Sequence, residues 1–487
     1  MSKWWTLVAV CLGTFMLLID VTIVNVALPA IEKDLHASFS DLQWVVDAYS
    51  LGLAAVLLTL GSLSDLIGRR RVFVGGLVVF TGASALCGLS GTPTLLNLAR
   101  GLQGAGGAGM FACALALLAS AYTGRDRGKA IGLWGATIGA AVAIGPLVGG
   151  VLVEAISWEA IFFVNVPIGI GVVFLTLRTV EESKNPTGNR VDVPGLVLFS
   201  GALFALIFAL IRGNDEGWGS ALIVTLLAVA VVGLLTFLVV ERRAKAPMLD
   251  LSLFKNKSFV GASIGAYVLS GAMFAMFLYL TLYLQNQLGY SPLEAGLRFL
   301  PSTILSFLVA PISGNLAEKY GVRWFMGLGL ILVGIGLFLL GGLTPSDDWT
   351  ALLVGFTATG IGIGMVNPAL ATAAVGVVDA RRSGMASGIN ATFRQVGIAT
   401  GVAAWGAIFQ SVVTDKYNAR FASVPKDDFA DFISFGVYRK LPGSHVEGRQ
   451  LFLDGLNHIL QIAGVVGIIG GVACLLLIKP ADFVADR

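Results

Sequence analysis

The residues of this chain that could do chemistry are few, because charged side chains make up only 13% of its 487 residues. One of them, Asp20, stands inside Leu17-Leu18-Ile19-Asp20-Val21-Thr22-Ile23-Val24-Asn25-Val26-Ala27-Leu28-Pro29. An ionisable group in such an apolar run is costly in a bilayer, and it faces a cavity or finds a partner. At the helical rise it lies roughly 13 Å inside the outer end of its helix. A carboxylate held there, drawn one way by burial and the other by a nearby cation, can take up and release a proton. The alternative is a structural acid that fixes helix packing. A second group is Arg100, in Arg100-Gly101-Leu102-Gln103-Gly104-Ala105-Gly106-Gly107. It sits roughly 9 Å below the outer end of its helix, a depth compatible with Asp20. Arg100, Gln103, Gly104 and Gly107 share one helical face, so a neighbouring helix can approach while the guanidinium reaches a partner. Structural hydrogen bonding is the alternative for this arginine. Asp47, near the outer end of the second apolar run, is a further acid for protons or cationic compounds, or else a solvated interfacial carboxylate.

The elements that must position these groups are membrane helices. Hydrophobic residues are 56% of the chain and mean hydropathy is +0.85, whereas a soluble domain carries about 25% charged residues. Fourteen apolar runs approach the roughly 20 residues that a helix needs to span a bilayer, and none shows the period-2 alternation of a barrel strand. The run from Trp4 to about Pro29 is too long for the core of a cleaved leader. Cys11, Cys87, Cys113 and Cys474 lie in apolar runs without C-x-x-C spacing, which argues against a disulfide framework or metal site. No metal and no cofactor are expected.

Charge sets the orientation. Twenty-one Lys and Arg fall on one side, among them Arg69-Arg70-Arg71 and Arg242/Arg243, against Lys33 and Arg212 in the short connections of the other. Both termini are therefore expected in the cytoplasm. The segment Gly61-Ser62-Leu63-Ser64-Asp65-Leu66-Ile67-Gly68-Arg69-Arg70 reads against Gly314-Asn315-Leu316-Ala317-Glu318-Lys319-Tyr320-Gly321-Val322-Arg323 at a constant offset of 253. The expected fold is all-α and membrane-embedded, with two six-helix bundles of an inverted-repeat transporter fold and two extra linker helices. The bundles are expected at 1–180 and 258–487, with 181–257 between them and a long 412–454 connection on the outer side. That connection is long enough to form a small structured element.

Within the first copy, Gly61 and Gly68 permit a tight turn, and Asp65 can pair with neighbouring arginines or cap a helix of the other bundle. On helix 5, Gly145-Pro146-Leu147-Val148-Gly149-Gly150 gives a smooth face and a proline kink. With Asp47 inside Gln43-Trp44-Val45-Val46-Asp47-Ala48-Tyr49, Phe162-Phe163-Val164-Asn165-Val166-Pro167 and Thr392-Phe393-Arg394-Gln395, these segments resemble the major facilitator superfamily over about 13–410. The run around Asp20 is similar to the fourteen-helix drug:proton antiporter branch. The resemblance implies that Arg100 belongs to a proton-coupling network with Asp20. It implies that Gly61, Asp65, Gly68, Arg69 and Arg70 govern a conformational switch. It also implies that Gly145, Pro146, Gly149 and Gly150 mark an exporter.

The function expected is proton-coupled antiport of small lipophilic or cationic organic compounds by alternating access. A dedicated exporter of one endogenous metabolite is the alternative. No His, Asp or Glu cluster suits a membrane enzyme, and no G-x-x-x-x-G-K-[ST] suits an ATP-driven pump. Gly104-x-Gly106-x-x-Gly109 lacks the strand that a dinucleotide site needs. Met16, Tyr49, Gln103, Phe274, Phe277 and Arg394 are candidates for the substrate cavity, although aromatics on such helices more often face lipid or a neighbour. Expected partners are the substrate, protons and the lipid bilayer, with no nucleic acid, in a monomer of the bacterial cytoplasmic membrane.

Overall fold

In hydrocarbon every backbone polar group must be satisfied internally, so only helices and closed barrels span it. This chain takes the helical solution. The computed structural model describes residues 3–37, 39–184, 193–244, 249, 251–378, 383–420 and 445–483, and no strand occurs among them. The helices are α1 (Lys3–Leu35), α2 (Phe39–Ile67), α3 (Arg69–Gly88), α4 (Pro93–Ala121), α5 (Gly124–Ala155), α6 (Ala160–Phe163), α7 (Asn165–Thr179), α8 (Val193–Glu216) and α9 (Ala221–Arg243). They continue as α10 (Lys257–Leu282), α11 (Pro292–Arg298), α12 (Leu300–Tyr320), α13 (Val322–Leu340), α14 (Leu353–Gly376), α15 (Ser383–Arg420) and α16 (His445–Leu477). Thirteen stretches are long and apolar enough to cross a membrane, and α5, bent by 42° between Ala141 and Ile144, makes fourteen when taken as one span. Pro146 accounts for that bend, since it cannot donate to the carbonyl four residues back.

Lipid tails are as apolar as leucine, so these helices associate through close packing of small residues rather than through hydrophobic drive. A Cβ on Gly52 would stand 2.2 Å from the Gly101 carbonyl, and one on Gly104 would stand 2.0 Å from that of Tyr49. The backbones of α2 and α4 thus touch. Gly76 and Gly106 bring α3 nearly as close to α4, at 2.6 and 2.5 Å by the same measure. In the C-terminal half, Gly360 lies on Ser302 and Gly334 on Gly464, joining α14 to α12 and α13 to α16. The apolar core divides accordingly. One cluster gathers Leu17, Phe73, Phe80 and Phe111 of α1–α4. Another gathers Phe299, Met326, Phe356, Phe409 and Phe452 of α12–α16. A third joins α8 and α9 to α2 and α15 through Phe199, Leu203, Phe237, Leu58 and Ile389. The outward face of α9 carries exposed Leu222, Val224, Val231 and Val232, which suits lipid.

Three elements differ from the sequence expectation. The span expected over 160–177 is interrupted at Val164 into α6 and α7. The one expected over 258–286 closes in a π-helical turn at Tyr283–Gln287. The expected 412–454 connection is shorter, because α15 runs on to Arg420 and α16 starts at His445. At its 38 residues, α15 is about 57 Å long and outreaches the hydrocarbon. Its end is tied to α16 by Lys416 Nζ on Asp454 Oδ2 at 2.8 Å. Residues 421–444 of that connection lie outside the described residues.

Candidate functional site

The close approach of α2 and α4 fixes the surroundings of Arg100. Its Nε donates to the Val45 carbonyl at 2.9 Å, and its guanidinium lies 4.3 Å from the centre of the Tyr49 ring. Its Nη1 donates to Asp20 Oδ2 and to Gln103 Oε1, the latter at 2.6 Å. Gln103 Nε2 and Asn165 Nδ2 each donate to Asp20 Oδ1 at 2.9 Å, and each also donates to Ser84 Oγ at 3.0 Å. Ser84 passes its own proton to the Phe162 carbonyl at 3.1 Å. Asp20, Ser84, Gln103, Arg100 and Asn165 are all 1% exposed or less. The arrangement is a closed polar network that draws on α1, α2, α3, α4, α6 and α7. A charge buried alone would be prohibitive, and here both carboxylate oxygens of Asp20 meet donors and the Arg100 charge meets its counter-charge.

The loop between α2 and α3 is equally well tied. Asp65 Oδ1 accepts from Arg69 Nε at 2.9 Å and from Nη2 at 2.7 Å. Its Oδ2 accepts from the backbone N–H of Met385 at 3.3 Å, in the first turn of α15, where the helix dipole favours an anion. Glu182 closes the other side: its Oε1 accepts from the Arg70 N–H at 3.0 Å and its Oε2 from the Arg71 N–H at 3.3 Å. Arg70 Nη1 reaches the Val180 carbonyl at 3.2 Å. Gly68 holds φ at +119°, and a Cβ there would come within 2.5 Å of the Glu182 carboxyl carbon. Gly61 is buried, its carbonyl taking the Ser64 hydroxyl at 2.7 Å. In the second copy, Gly321 also holds a positive φ, +97°, and Glu318 lies directly over Gly128 in the first turns of α5.

Helix α5 forms the seam between the halves. Gly132, Gly135 and Gly139 face Gly314, Pro368 and Ser306 of the C-terminal half. Beyond the bend, a Cβ on Gly145 would strike Thr22 Oγ1 at 1.8 Å and one on Gly149 would strike Ile23 at 2.8 Å, so this part of α5 lies on α1. Gly150 is buried, and a Cβ on Gly296 of α11 would stand about 3 Å from Pro146 and Leu147. The halves therefore touch at both ends of the seam: at Asp65–Met385 and Glu318–Gly128 at one end, and at Gly296–Leu147 at the other. Two voids of about 10 and 30 Å³ lie between. Organic ligands occupy roughly 300–1,000 Å³, so the halves must part for one to enter.

The structure sorts the cavity candidates. Phe277 and Arg394 line a void. Met16, Tyr49 and Gln103 do not: they are 0%, 2% and 0% exposed inside the N-terminal half, where Tyr49 donates to the Leu17 carbonyl at 3.2 Å and Gln103 serves Asp20. The side chain of Phe274 lies outside the described residues. Asp47 is half-buried on α2. Sequence reasoning gave no role to Ser84, Asn165 or Glu182. The Asn165-x-Pro167 pattern inside an apolar run was the available signal for one of them.

Comparison with known proteins accords with this architecture. The chain is 39% identical over 405 residues to the multidrug resistance protein Stp of Mycobacterium tuberculosis, covering 83% of this chain and 75% of that protein. It is 33% identical over 493 residues to the tetracenomycin C resistance and export protein of Streptomyces glaucescens, covering 97% and 91%. Among solved structures, the human organic anion transporter MFSD10 superposes with a TM-score of 0.65 at 13% identity, covering 97% of this chain and all of that one. A bacterial homologue of the lysosomal transporter Spinster, inward-facing, gives 0.63 at 18% identity over 100% of this chain and 99% of that one. Both superpositions speak for the fold. With the Major Facilitator Superfamily model matching residues 10–402, the chain belongs to that superfamily of membrane transporters rather than to an enzyme family.

Proposed function

We propose that this protein exports small lipophilic organic compounds across the bacterial cytoplasmic membrane in exchange for protons. The observation that carries the reading is Asp20, a membrane-depth carboxylate with no solvent exposure, answered by Arg100 and two amide donors from two other helices, α4 and α7. A proton on Asp20 removes the negative charge that Arg100 answers and with it the strongest tie between α1 and α4. The Asp65 and Glu318 contacts at one end of the seam and the α11 contact at the other then exchange, opening one side as the other closes. A ligand shifts such an equilibrium only by its differential affinity for the two states. The relatives' names support export, since they denote multidrug resistance and antibiotic resistance and export. The Streptomyces glaucescens relative, matched over nearly the whole chain, favours a second reading in which one endogenous product is the substrate.

In this reading both termini are cytoplasmic, the bundles divide near 180 and 257, and the protein works as a monomer. The test is dye efflux from bacteria depleted of their own pumps, with and without a protonophore. Wild type should extrude lipophilic dyes until the protonophore is added. Asp20→Asn should be present in the membrane with export at least tenfold slower. Export by Asp20→Asn at the wild-type rate would refute Asp20 as the coupling group and turn attention to Asp47.

A further inference from the structure

The two sides of the seam are chemically unlike. From the N-terminal half the voids meet Phe111, Leu115, Trp134, Ile138 and Gly139. These are apolar or already engaged, since Trp134 Nε1 donates to Thr14 Oγ1 at 2.9 Å. From the C-terminal half they meet Ser306, Asn367, Asn390 and Arg394 beside apolar residues such as Met273 and Phe277. Ser306, Asn367 and Asn390 are 4%, 3% and 6% exposed, yet Ser306 Oγ, Asn367 Oδ1 and Asn390 Nδ2 have no hydrogen-bond partner among the described residues. Arg394 borders both voids, and no hydrogen bond or ion pair among the described residues engages it. No carboxylate among the described residues lines either void. Buried polar groups are ordinarily paired, and an arginine at membrane depth is expensive without a counter-charge. Three orphaned polar atoms beside one such arginine form a binding surface awaiting its complement.

We infer, resting on the transport reading above, that the substrate is an organic anion with an aromatic or otherwise apolar body. Its carboxylate or phenolate lies on Arg394 and Asn390 Nδ2, since guanidinium hydrogen bonds to anionic oxygens are the strong and directional ones. A hydroxyl on the same molecule donates to Asn367 Oδ1. The apolar body lies between Met273 and Phe277 on one side and Ile138 on the other. A cationic compound would meet the Arg394 charge in a site of low dielectric. It would find no acid to offset that charge, because both Asp20 oxygens are already occupied inside the N-terminal half.

The experiment uses two dyes that share a xanthene skeleton and differ in charge, 6-carboxyfluorescein and rhodamine 6G. Binding to the purified full-length protein in lipid nanodiscs is followed by fluorescence polarisation. The anionic dye should bind at least tenfold more tightly than the cationic one. Arg394→Gln should weaken 6-carboxyfluorescein at least tenfold and leave rhodamine 6G within threefold, and Arg394→Lys should keep most of the anion affinity. Should Arg394→Gln not purify as a monodisperse protein, Asn390→Leu replaces it, with an expected loss of threefold or more. Three results would overturn the inference: equal or tighter binding of rhodamine 6G, absence of saturable 6-carboxyfluorescein binding, or variants with unchanged anion affinity. Efflux from dye-loaded cells is read separately. Saturable anion binding without efflux sinks the export reading and leaves this one standing.

Discussion

Two clusters of buried polar residues, one in each half of this transporter, treat the same kinds of side chain in opposite ways. In the N-terminal half, Asp20, Ser84, Arg100, Gln103 and Asn165 are all 1% exposed or less and answer one another. In the C-terminal half, Ser306, Asn367 and Asn390 are nearly as buried but leave polar atoms unanswered around Arg394. A satisfied network defines its own geometry and resists change. An unsatisfied one trades stability for a surface that a ligand can complete.

The sharpest way to break this contrast is to remove one member of the ion pair. Arg100→Ala strands a buried carboxylate, and about 3–5 kcal/mol of stability should be lost. Thermal unfolding of the purified protein in detergent would show it, and Asp20→Asn with Arg100→Gln should recover part of that loss. Smaller changes follow from amide replacement. Asn165→Leu should cost about 1–3 kcal/mol, because it leaves Asp20 and Ser84 short of a donor. Asn390→Leu should be neutral or stabilising in the same assay while weakening ligand binding. Equal destabilisation by the two leucines would erase the distinction between the halves.

The repeated loop offers a finer comparison. Gly68→Ala meets both an unfavourable φ and the Glu182 carboxylate, whereas Gly321→Ala meets the φ with open space around it. Strain of this kind costs about 1–3 kcal/mol. Gly68→Ala should therefore lie at the upper end of that range by thermal unfolding and Gly321→Ala at the lower. Smallest should be Glu182→Gln, which keeps an acceptor for one of the Arg70 and Arg71 amides but loses the other and the charge, at about 0.5–1 kcal/mol.

Asp20 and Arg100 were legible in the sequence because a charge inside an apolar run is conspicuous whatever its neighbours. Ser84 and Asn165 were not, since an uncharged polar residue on a membrane helix gains meaning only from the helix packed against it. Glu182 was hidden for another reason: it stands in a connection already rich in charge. The fourteen spans were legible from length and hydropathy. Which face of each span meets the seam was not, because uniformly apolar helices carry no polar stripe to orient them. Met16 and Tyr49 were accordingly expected in the cavity and lie instead beneath Arg100 or in the core beside it. Likewise, length alone could not tell a loop at 412–420 from a helix that outreaches its bilayer.

Helix α5 has a mechanical consequence. Its first stretch is notched by glycines for α12 and α14, its last for Thr22 and Ile23, and a 42° bend divides the two. Thr22 and Ile23 come two and three residues after Asp20 on the same helix. The rod that bears on the C-terminal half thus also grips the helix that carries the carboxylate, with no loop between them to absorb motion. Under the proposed exchange for protons it would serve as a jointed crank, and the fault to expect from filling its far notches is slippage, in which protons cross without cargo.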